Sequence, residues 1–162
     1  ALLDAAPAMM WVTDRDGACT HLSRSWYAFT GQTAETGLDE DILRKLVHRF
    51  YDRVRADAVL GPIFADRIAD WPVHLERMVD FWSSVALMTG QYHGRPVPAH
   101  TPLPINAAHF DRWLALFRAT ATDTCTPAGA AHVIERAERI ARSLHIAVAS
   151  AQAEPAAPPR LF

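Results

Sequence analysis

Residues 71–82 read Trp-Pro-Val-His-Leu-Glu-Arg-Met-Val-Asp-Phe-Trp. A helix begins near Asp70, and Pro72 falls in its first turn, where a missing amide proton is tolerated. The apolar residues that recur at helical spacing are Trp71, Leu75, Met78, Val79, Trp82, Val85 and Ala86. This pattern predicts a long amphipathic helix, for which Gly90 supplies the C-terminal stop.

A second helix is predicted upstream of this one. Asp39 is a good N-cap for it. The apolar stripe of this helix consists of Leu43, Val47, Phe50, Tyr51 and Val54. Asp57 and the Gly61–Pro62 step close the helix, so Ile63 and Phe64 are expected to lie in a tight connection.

Two more helices are predicted downstream, after a segment rich in proline. Between 95 and 105 four prolines leave room for at most one helical turn. Asn106 caps the next helix, and Thr126 with the proline after it opens the last one. Residues 151–162 contain three prolines and few core-forming side chains, so they are expected to form a disordered tail.

Composition limits the classes of protein that fit. The chain has 162 residues, of which 50% are apolar and 21% are charged, which suits one domain with an appendage. Its formal net charge of -2 provides no broad basic face for nucleic acid. No apolar run is long enough to span a bilayer, and no signal-peptide pattern stands at the N-terminus. Cys19 and Cys125 lack zinc-ligand spacing. A soluble cytoplasmic protein is expected.

Several side chains on these elements suit a flat cofactor. His100 is bracketed by prolines in Pro-Val-Pro-Ala-His-Thr-Pro, which limits the conformations that can present its imidazole. His74, Met78 and Phe81 share one helix face, and Arg77 falls at the edge of that face. An apolar ledge flanked by a cation suits a macrocycle with a polar centre and anionic edge groups.

Each of these features also has a simpler interpretation. Four amphipathic helices describe an ordinary helical bundle with surface histidines, and aromatic stripes are more often core than cofactor pocket. His93 and His109 are rival candidates for a metal ligand. Tyr51 on a buried stripe requires a partner for its hydroxyl, which a polar ligand would supply. The combination of these features, more than any one of them, favours a cofactor site.

The order and spacing of these residues resemble the group III truncated haemoglobins from about Asp39 to the end of the last helix. The resemblance rests on the runs 50–57, 60–64, 71–75, 81–82 and 90–96, on His100, and on 110–114. It implies an all-α, two-over-two truncated globin helical sandwich around one haem b. It also implies dioxygen, nitric oxide or carbon monoxide as ligands of the iron.

The resemblance assigns roles to particular residues. It implies that His100 is the proximal iron ligand, that Tyr51 and Trp113 donate hydrogen bonds to the bound ligand, and that His74 stands at the distal mouth. Phe64 matches the phenylalanine that wedges against the haem. The residues expected to contact the cofactor are Phe50, Phe64, His74, Arg77, Met78, Phe81, His100 and Trp113. Arg77 is a predicted propionate partner, mainly from its helical position.

The N-terminal part has a different character. Two extended runs at 9–13 and 18–22 flank an Asp-Gly step that suits a tight hairpin turn, and an aromatic turn follows at 25–29. These residues resemble the opening of a PAS domain but cover only its first strands and short helix. We therefore expect a partial PAS-like fragment at 1–37, a truncated globin domain at 38–150 and the tail at 151–162.

Two functions follow from these expectations. In the first, the work is done at the iron, by diatomic ligand binding with possible nitric-oxide-oxidising or peroxidase-like chemistry supported by a reductase. In the second, the chain is a gas sensor or interaction module in which the PAS-like segment reports the ligand state to a partner. The first is favoured, because the sequence contains no output domain and no complete PAS fold.

Overall fold

The computed structural model describes residues 11–13, 19–22 and 36–153. In these ranges the chain forms two strands and six helices. The strands are β1 (Trp11–Thr13) and β2 (Cys19–Leu22). The helices are α1 (Glu40–Ala56), α2 (Leu60–Arg67), α3 (Trp71–Leu87), α4 (Pro96–His100), α5 (Ala107–Thr124) and α6 (Pro127–Ala153). None of these helices is long and apolar enough to cross a membrane.

The two strands lie within the predicted N-terminal extended runs. β1 and β2 pair antiparallel, with Trp11 opposite Leu22. The predicted turn at 14–17 and the aromatic turn at 25–29 lie outside the described residues.

Side-chain caps begin the helices that carry the site. The carboxylate of Asp39 accepts the Ile42 N–H at 2.8 Å at the start of α1, and Asp70 accepts the Val73 N–H at 3.1 Å at the start of α3. Asn106 opens α5 with a capping box. These starts confirm the predicted positions, because a cap is a local property of the sequence.

The prediction of a tight connection at Ile63 and Phe64 is wrong, since both residues lie in helix α2. The carboxylate of Asp57 stabilises the start of this helix, because it accepts hydrogen bonds from the backbone N–H groups of Val59 and Leu60. Pro62 stands in that turn, where it removes no needed donor. A Cβ on Gly61 would lie 2.7 Å from the Arg55 carbonyl oxygen. Glycine therefore allows α2 to begin directly against the end of α1, and it does not act as a breaker.

Two predicted ends also differ from the structure. Helix α3 ends at Leu87, and Met88 takes the left-handed conformation at φ 60°, so the helix stops before Gly90. Helix α6 continues through Ala153, past the boundary predicted at 150. Helix ends depend on tertiary contacts as well as on local signals, so they are less well determined by sequence than helix starts. Residues 154–162 lie outside the described ranges.

The long helices pack as two pairs. Helix α1 packs on α3, and α5 packs on α6, while α1 also contacts α5 and so joins the pairs. The larger buried cluster is centred on α1, whose Leu43, Leu46 and Val54 are fully buried. A smaller cluster lies where α5 and α6 meet the segment after α4. Between these two clusters the apolar side chains leave a cavity open.

Candidate functional site

The cavity has a volume of about 390 Å³ and is lined by every helix of the described fold. That volume lies within the range usual for sites that bury a small organic molecule. The predicted site residues that line it are Tyr51, Phe64, His74, Arg77, Met78, Phe81, His100 and Trp113. The structure thus brings together residues that are up to about sixty positions apart in the chain, and among the predicted contacts it leaves out Phe50.

His100 stands at the end of the five-residue helix α4 and lines the cavity. Its Nδ1 lies 2.6 Å from the carbonyl oxygen of Pro96. A carbonyl can only accept, so Nδ1 carries a proton, and in the neutral imidazole Nε2 keeps a lone pair. An imidazole fixed in this tautomer by a backbone carbonyl is the arrangement found in metal-ligating histidines.

The rival histidines are less well placed. His93 is exposed and does not line the cavity. His109 does line the cavity, but its Nδ1 accepts the backbone N–H of Asn106 at 3.1 Å as part of the capping box of α5. This bond orients the ring along the start of its own helix. The geometry therefore favours His100 among the three histidines.

Tyr51 is buried in the wall formed by α1, with 5% of its surface exposed. Its ring makes edge-to-face contacts with Phe64 at 5.9 Å and with His74 at 5.1 Å between centroids. Burial raises the pKa of the phenol far above its usual range, and the nearby Tyr92 adds to the effect. The hydroxyl therefore stays protonated and can donate a hydrogen bond into the cavity.

His74 projects from α3 into the same region. Its Nε2 is buried and has no hydrogen-bond partner among the described residues. Burial lowers the pKa of the imidazole, and the positive charge of Arg77, with that of His100 when its ring is protonated, lowers it further. At neutral pH the ring is therefore uncharged. A buried polar atom without a partner is unfavourable unless a ligand or water satisfies it.

Trp113 lines the cavity from α5. Its ring stacks on Phe117 at 5.3 Å and 11°, and Phe117 in turn stacks on Trp82 at 4.6 Å and 23°. Trp82 also lines the cavity, so this side chain, interpreted from the sequence mainly as core, serves both purposes. The stack fixes the orientation of the Trp113 indole, whose N–H is a donor only.

Phe50 was predicted to contact the cofactor, but the structure places it in the core behind the cavity wall. It is 1% exposed and packs edge-to-face on Tyr51, Trp113 and Phe117 at 5.1–5.2 Å. Successive helical residues point about 100° apart, so on a broad buried stripe only one of two neighbours faces the cavity. Phe50 therefore supports the two predicted donors instead of forming part of the lining.

Two arginines stand on the cavity lining, and the sequence singled out one of them. Arg77 on α3 is exposed and makes no ion pair within the described residues. Arg67 closes α2 and also lines the cavity. Its only ion pair in the described part of the chain is a 3.6 Å contact with the adjacent Asp66. Arg67 was missed because its segment was interpreted as a connection.

The remaining lining is mainly apolar and, apart from the rival candidate His109, was not singled out from the sequence as part of a site. It consists of Leu60, Ile63, Ile68, Tyr92, Pro96, Ala99, Leu103, Ile105, Phe110, Ile140, Ala141 and Leu144, with Trp82 and His109. Ile140 and Leu144 belong to the periodic stripe of α6, which looks the same whether it faces a core or a cavity. Tyr92 lies in the loop before α4, where periodicity gives no signal.

The residues present fit a flat apolar cofactor with a metal at its centre. The walls are mainly apolar, one fixed imidazole offers a free lone pair, and the exposed guanidinium groups suit carboxylates at a cofactor edge. In addition, the buried Nε2 of His74 has no hydrogen-bond partner among the described residues, so it needs one inside the cavity. The arrangement can hold such a group and can present donors to a small polar ligand inside the cavity.

Comparison with known families agrees with this geometry. The profile of the family described as bacterial-like globin matches residues 34–147. The chain therefore belongs to the bacterial-like globin family, whose members bind haem and small diatomic ligands.

Particular relatives refine this assignment. A group 3 truncated haemoglobin of Campylobacter jejuni is 31% identical over 109 residues, which cover 64% of this chain and 86% of that protein. The crystal structure of a group III truncated haemoglobin from Campylobacter jejuni is similar with a TM-score of 0.66 and 30% identity, over 72% of this chain and 95% of that chain. The two-over-two truncated globin fold and the resemblance to group III are confirmed.

A thermostable haemoglobin of Thermobifida fusca is also similar, with a TM-score of 0.53 and 27% identity over 65% of this chain and 89% of that chain. The profile of the PAS fold matches residues 1–61. That match includes the N-terminal strands and overlaps the globin match in helix α1.

Proposed function

We propose that this chain binds haem b in the cavity, with Nε2 of His100 as the axial ligand of the iron, and that it binds dioxygen or another small diatomic ligand there. The observation that carries the proposal is the 2.6 Å contact between His100 Nδ1 and the Pro96 carbonyl. In the neutral imidazole this contact leaves the Nε2 lone pair available on a cavity lined mainly by apolar side chains. When bound, haem would supply an iron that takes small diatomic ligands.

The chain's own residues define the environment of that ligand. The Tyr51 hydroxyl and the Trp113 indole N–H are donors on the lining of the cavity, and both rings are fixed by aromatic contacts. Such donors stabilise a ligand that carries partial negative charge, so they slow its release. Arg77 and Arg67 offer charge to the haem propionates at the cavity edge.

Absorption spectroscopy tests the proposal directly. Hemin is added to the purified chain, followed by dithionite and then carbon monoxide. A sharp Soret band that shifts at each of the last two steps is expected for a histidine-bound haem with an accessible ligand position. A folded, helical chain that leaves hemin unbound would refute the proposal.

Redox chemistry is a finer part of the same proposal. Donors that stabilise a polar ligand also polarise it, which favours nitric-oxide-oxidising or peroxidase-like turnover with electrons from a reductase. Consumption of nitric oxide by the haem-loaded chain in air, supplied with a reductant, would measure this activity. A rate no higher than that of free hemin would reject the redox activity and leave the binding of diatomic ligands as the whole function.

A gas-sensing role is the second candidate, and the match of residues 1–61 to the PAS fold favours it. In this case the N-terminal segment would change when a ligand binds in the cavity and would transmit this change to a partner. Hydrogen exchange of β1 and β2 in the haem-loaded chain, with and without carbon monoxide, tests the coupling. Unchanged exchange in both strands would reject the sensor.

The cytoplasmic location is proposed from the sequence pattern of the cysteines, which is typical of a reducing compartment. Cys125 is a half-buried free thiol, and burial raises its pKa, so it is a poor nucleophile. Fractionation of cells that express the protein would show in which compartment it is located. Recovery in an extracytoplasmic fraction would contradict the proposal.

A further inference from the structure

Three aromatic rings meet at the wall of the cavity that α1 and α3 form. Trp71 lies 6.1 Å from Tyr51 and 5.8 Å from His74, and these last two rings are 5.1 Å apart. All three pairs are edge-to-face, with interplanar angles of 61°, 83° and 89°. Each ring therefore limits the rotation of the other two. Two of the rings line the cavity, whereas Trp71 does not.

Trp71 is itself held in place by local structure and by a cation. It is the first residue of α3, which Asp70 caps and which has Pro72 in its first turn. The Arg55 guanidinium, at the end of α1, lies 4.7 Å from the centre of the Trp71 ring. A cation over an indole face at this distance is attracted by the electrons of the ring. The half-buried indole is thereby fixed between the two helices.

The inward orientation of His74 has an energetic cost. Its Nε2 is buried without a partner in the described part of the chain, and a turn of the side chain toward water would provide hydrogen bonds. The structure nevertheless keeps the ring inside, where Trp71 packs against it. Some contact must oppose the outward turn, and the indole is the bulky side chain in contact with His74 from outside the cavity lining.

We propose that Trp71 is a positioning residue that holds His74 in its inward orientation and thereby sets how fast small ligands reach the cavity and leave it. The part that concerns ligands rests on the proposed haem-binding function. The orientation of His74 does not depend on that function, so the two parts are tested separately.

The orientation is tested in the full chain without haem, by nuclear magnetic resonance of the His74 imidazole. Trp71→Leu removes the indole, Trp71→Phe keeps an aromatic ring, and Val73→Ala is the control, since Val73 is 54% exposed in the same turn. Trp71→Leu is expected to shift the His74 ring protons and to raise the imidazole pKa toward its ordinary value, because burial is the main cause of the lowering. Arg77 and His100 are unchanged in every variant.

Trp71→Phe and the control are expected to keep the parental signals more closely. His74 signals that stay unchanged in Trp71→Leu would overturn the proposal. Arg55→Gln provides a second variant at an exposed position, and a smaller shift in the same direction is expected there. It keeps the test decisive even if Trp71→Leu fails to fold, which circular dichroism would detect, since unchanged His74 signals in Arg55→Gln would also overturn the proposal.

The kinetic part is tested by flash photolysis of the carbon monoxide complex of the haem-loaded chain. Trp71→Leu is expected to speed association by about tenfold or more, because a minor outward orientation, populated at up to roughly a tenth, would become dominant. His74→Ala should reach a similar rate, and the double variant should be no faster than His74→Ala.

Equal acceleration by Trp71→Leu in the parental and His74→Ala backgrounds would show that Trp71 does not act through His74, and would overturn this part. If neither the parental chain nor any variant binds haem, the proposed haem-binding function fails instead. The resonance experiment then still decides the orientation of His74.

Discussion

The two faces of the cavity are built in different ways. The side chains proposed to face the bound ligand, Tyr51, His74 and Trp113, project from helices of 17 and 18 residues that pack together in the main core. His100 projects from a helix of five residues with no buried member, which contacts mainly α6. The orientation of the distal donors thus depends on the stability of the whole fold, whereas that of His100 depends on a local hydrogen bond and four prolines.

This difference implies that the two faces respond differently to mutation. A change in the core should destabilise the fold and disturb the distal donors together. A change in the proximal segment should weaken cofactor binding and leave the fold nearly as stable as before. The predictions below test this separation, beginning with the largest expected effect.

Phe50→Ala should lower the free energy of unfolding by about 3–5 kcal/mol, since a fully buried aromatic ring is replaced by a cavity. Val97→Ala in α4 is the matched control; its side chain is 42% exposed, and it should change stability by no more than about 0.5 kcal/mol. Urea unfolding of the full chain, followed by circular dichroism, measures both. Equal losses in the two variants would contradict the proposed separation, in which the distal wall, formed by Tyr51, His74 and Trp113, depends on the core and the proximal segment around His100 does not.

His100→Gly should weaken haem binding by more than about 100-fold, since even the second-shell partners of a metal ligand account for roughly 10–100-fold. The fold should remain, because the side chain is only half-buried at the end of a short helix. Hemin transfer to a competing apoprotein measures the affinity, and added imidazole should restore part of it. His93→Gly is the control at an exposed position. Full retention of haem in His100→Gly would move the assignment to His109.

Tyr51→Phe should speed dioxygen release by about tenfold, because it removes one donor worth roughly 1–1.5 kcal/mol in a buried site. Trp113→Phe should have a similar effect, and the double variant should release faster than either. Stopped-flow displacement of dioxygen by carbon monoxide gives the rates. A release rate that neither substitution changes would show that the distal wall does not contact the ligand.

The contrast between the faces also explains what could be predicted from the sequence. The starts of α1, α3 and α5 were correctly predicted because caps act on the first turn of their own helix. The distal donors lie on periodic stripes, and the resemblance to a known family distinguished them from ordinary core residues. His100 was predicted as the iron ligand from its proline bracket and the same resemblance, and this role stays a prediction.

The features that were missed depend on how elements meet in space. Helix α2 was interpreted as a connection because the Gly61–Pro62 step is also typical of turns, and with it Arg67 was missed. Phe50 and Tyr51 lie on the same buried stripe, and only the packing of α1 against α3 and α5 decides which of the two faces the cavity. The tautomer of His100 likewise depends on where the Pro96 carbonyl points, which residue types do not specify.

The smallest expected effect concerns an ion pair that braces the distal wall. Arg112 on α5 holds the carboxylate of Asp57 at 2.7 Å and 2.8 Å, at the turn between α1 and α2. The Arg112 guanidinium, helped by the backbone N–H groups of Leu60 and Val59, lowers the pKa of Asp57 from 3.8 to about 2. A lowered pKa stabilises the folded state above the ordinary pKa, and this contribution disappears as the pH falls toward the folded value.

Arg112→Gln should therefore lower the melting temperature slightly at pH 7, and the difference from the parental chain should shrink between pH 4 and pH 2. The pKa of Asp57 in the variant should rise but stay below its ordinary value, because the two backbone donors remain. Thermal unfolding at pH 7 and pH 3, with Arg118→Gln as the control for an exposed pair on the same helix, measures the difference. A gap as large at pH 3 as at pH 7 would mean that Arg112 stabilises the turn by packing alone, and the distal wall would then need no ionised carboxylate to keep α2 in place.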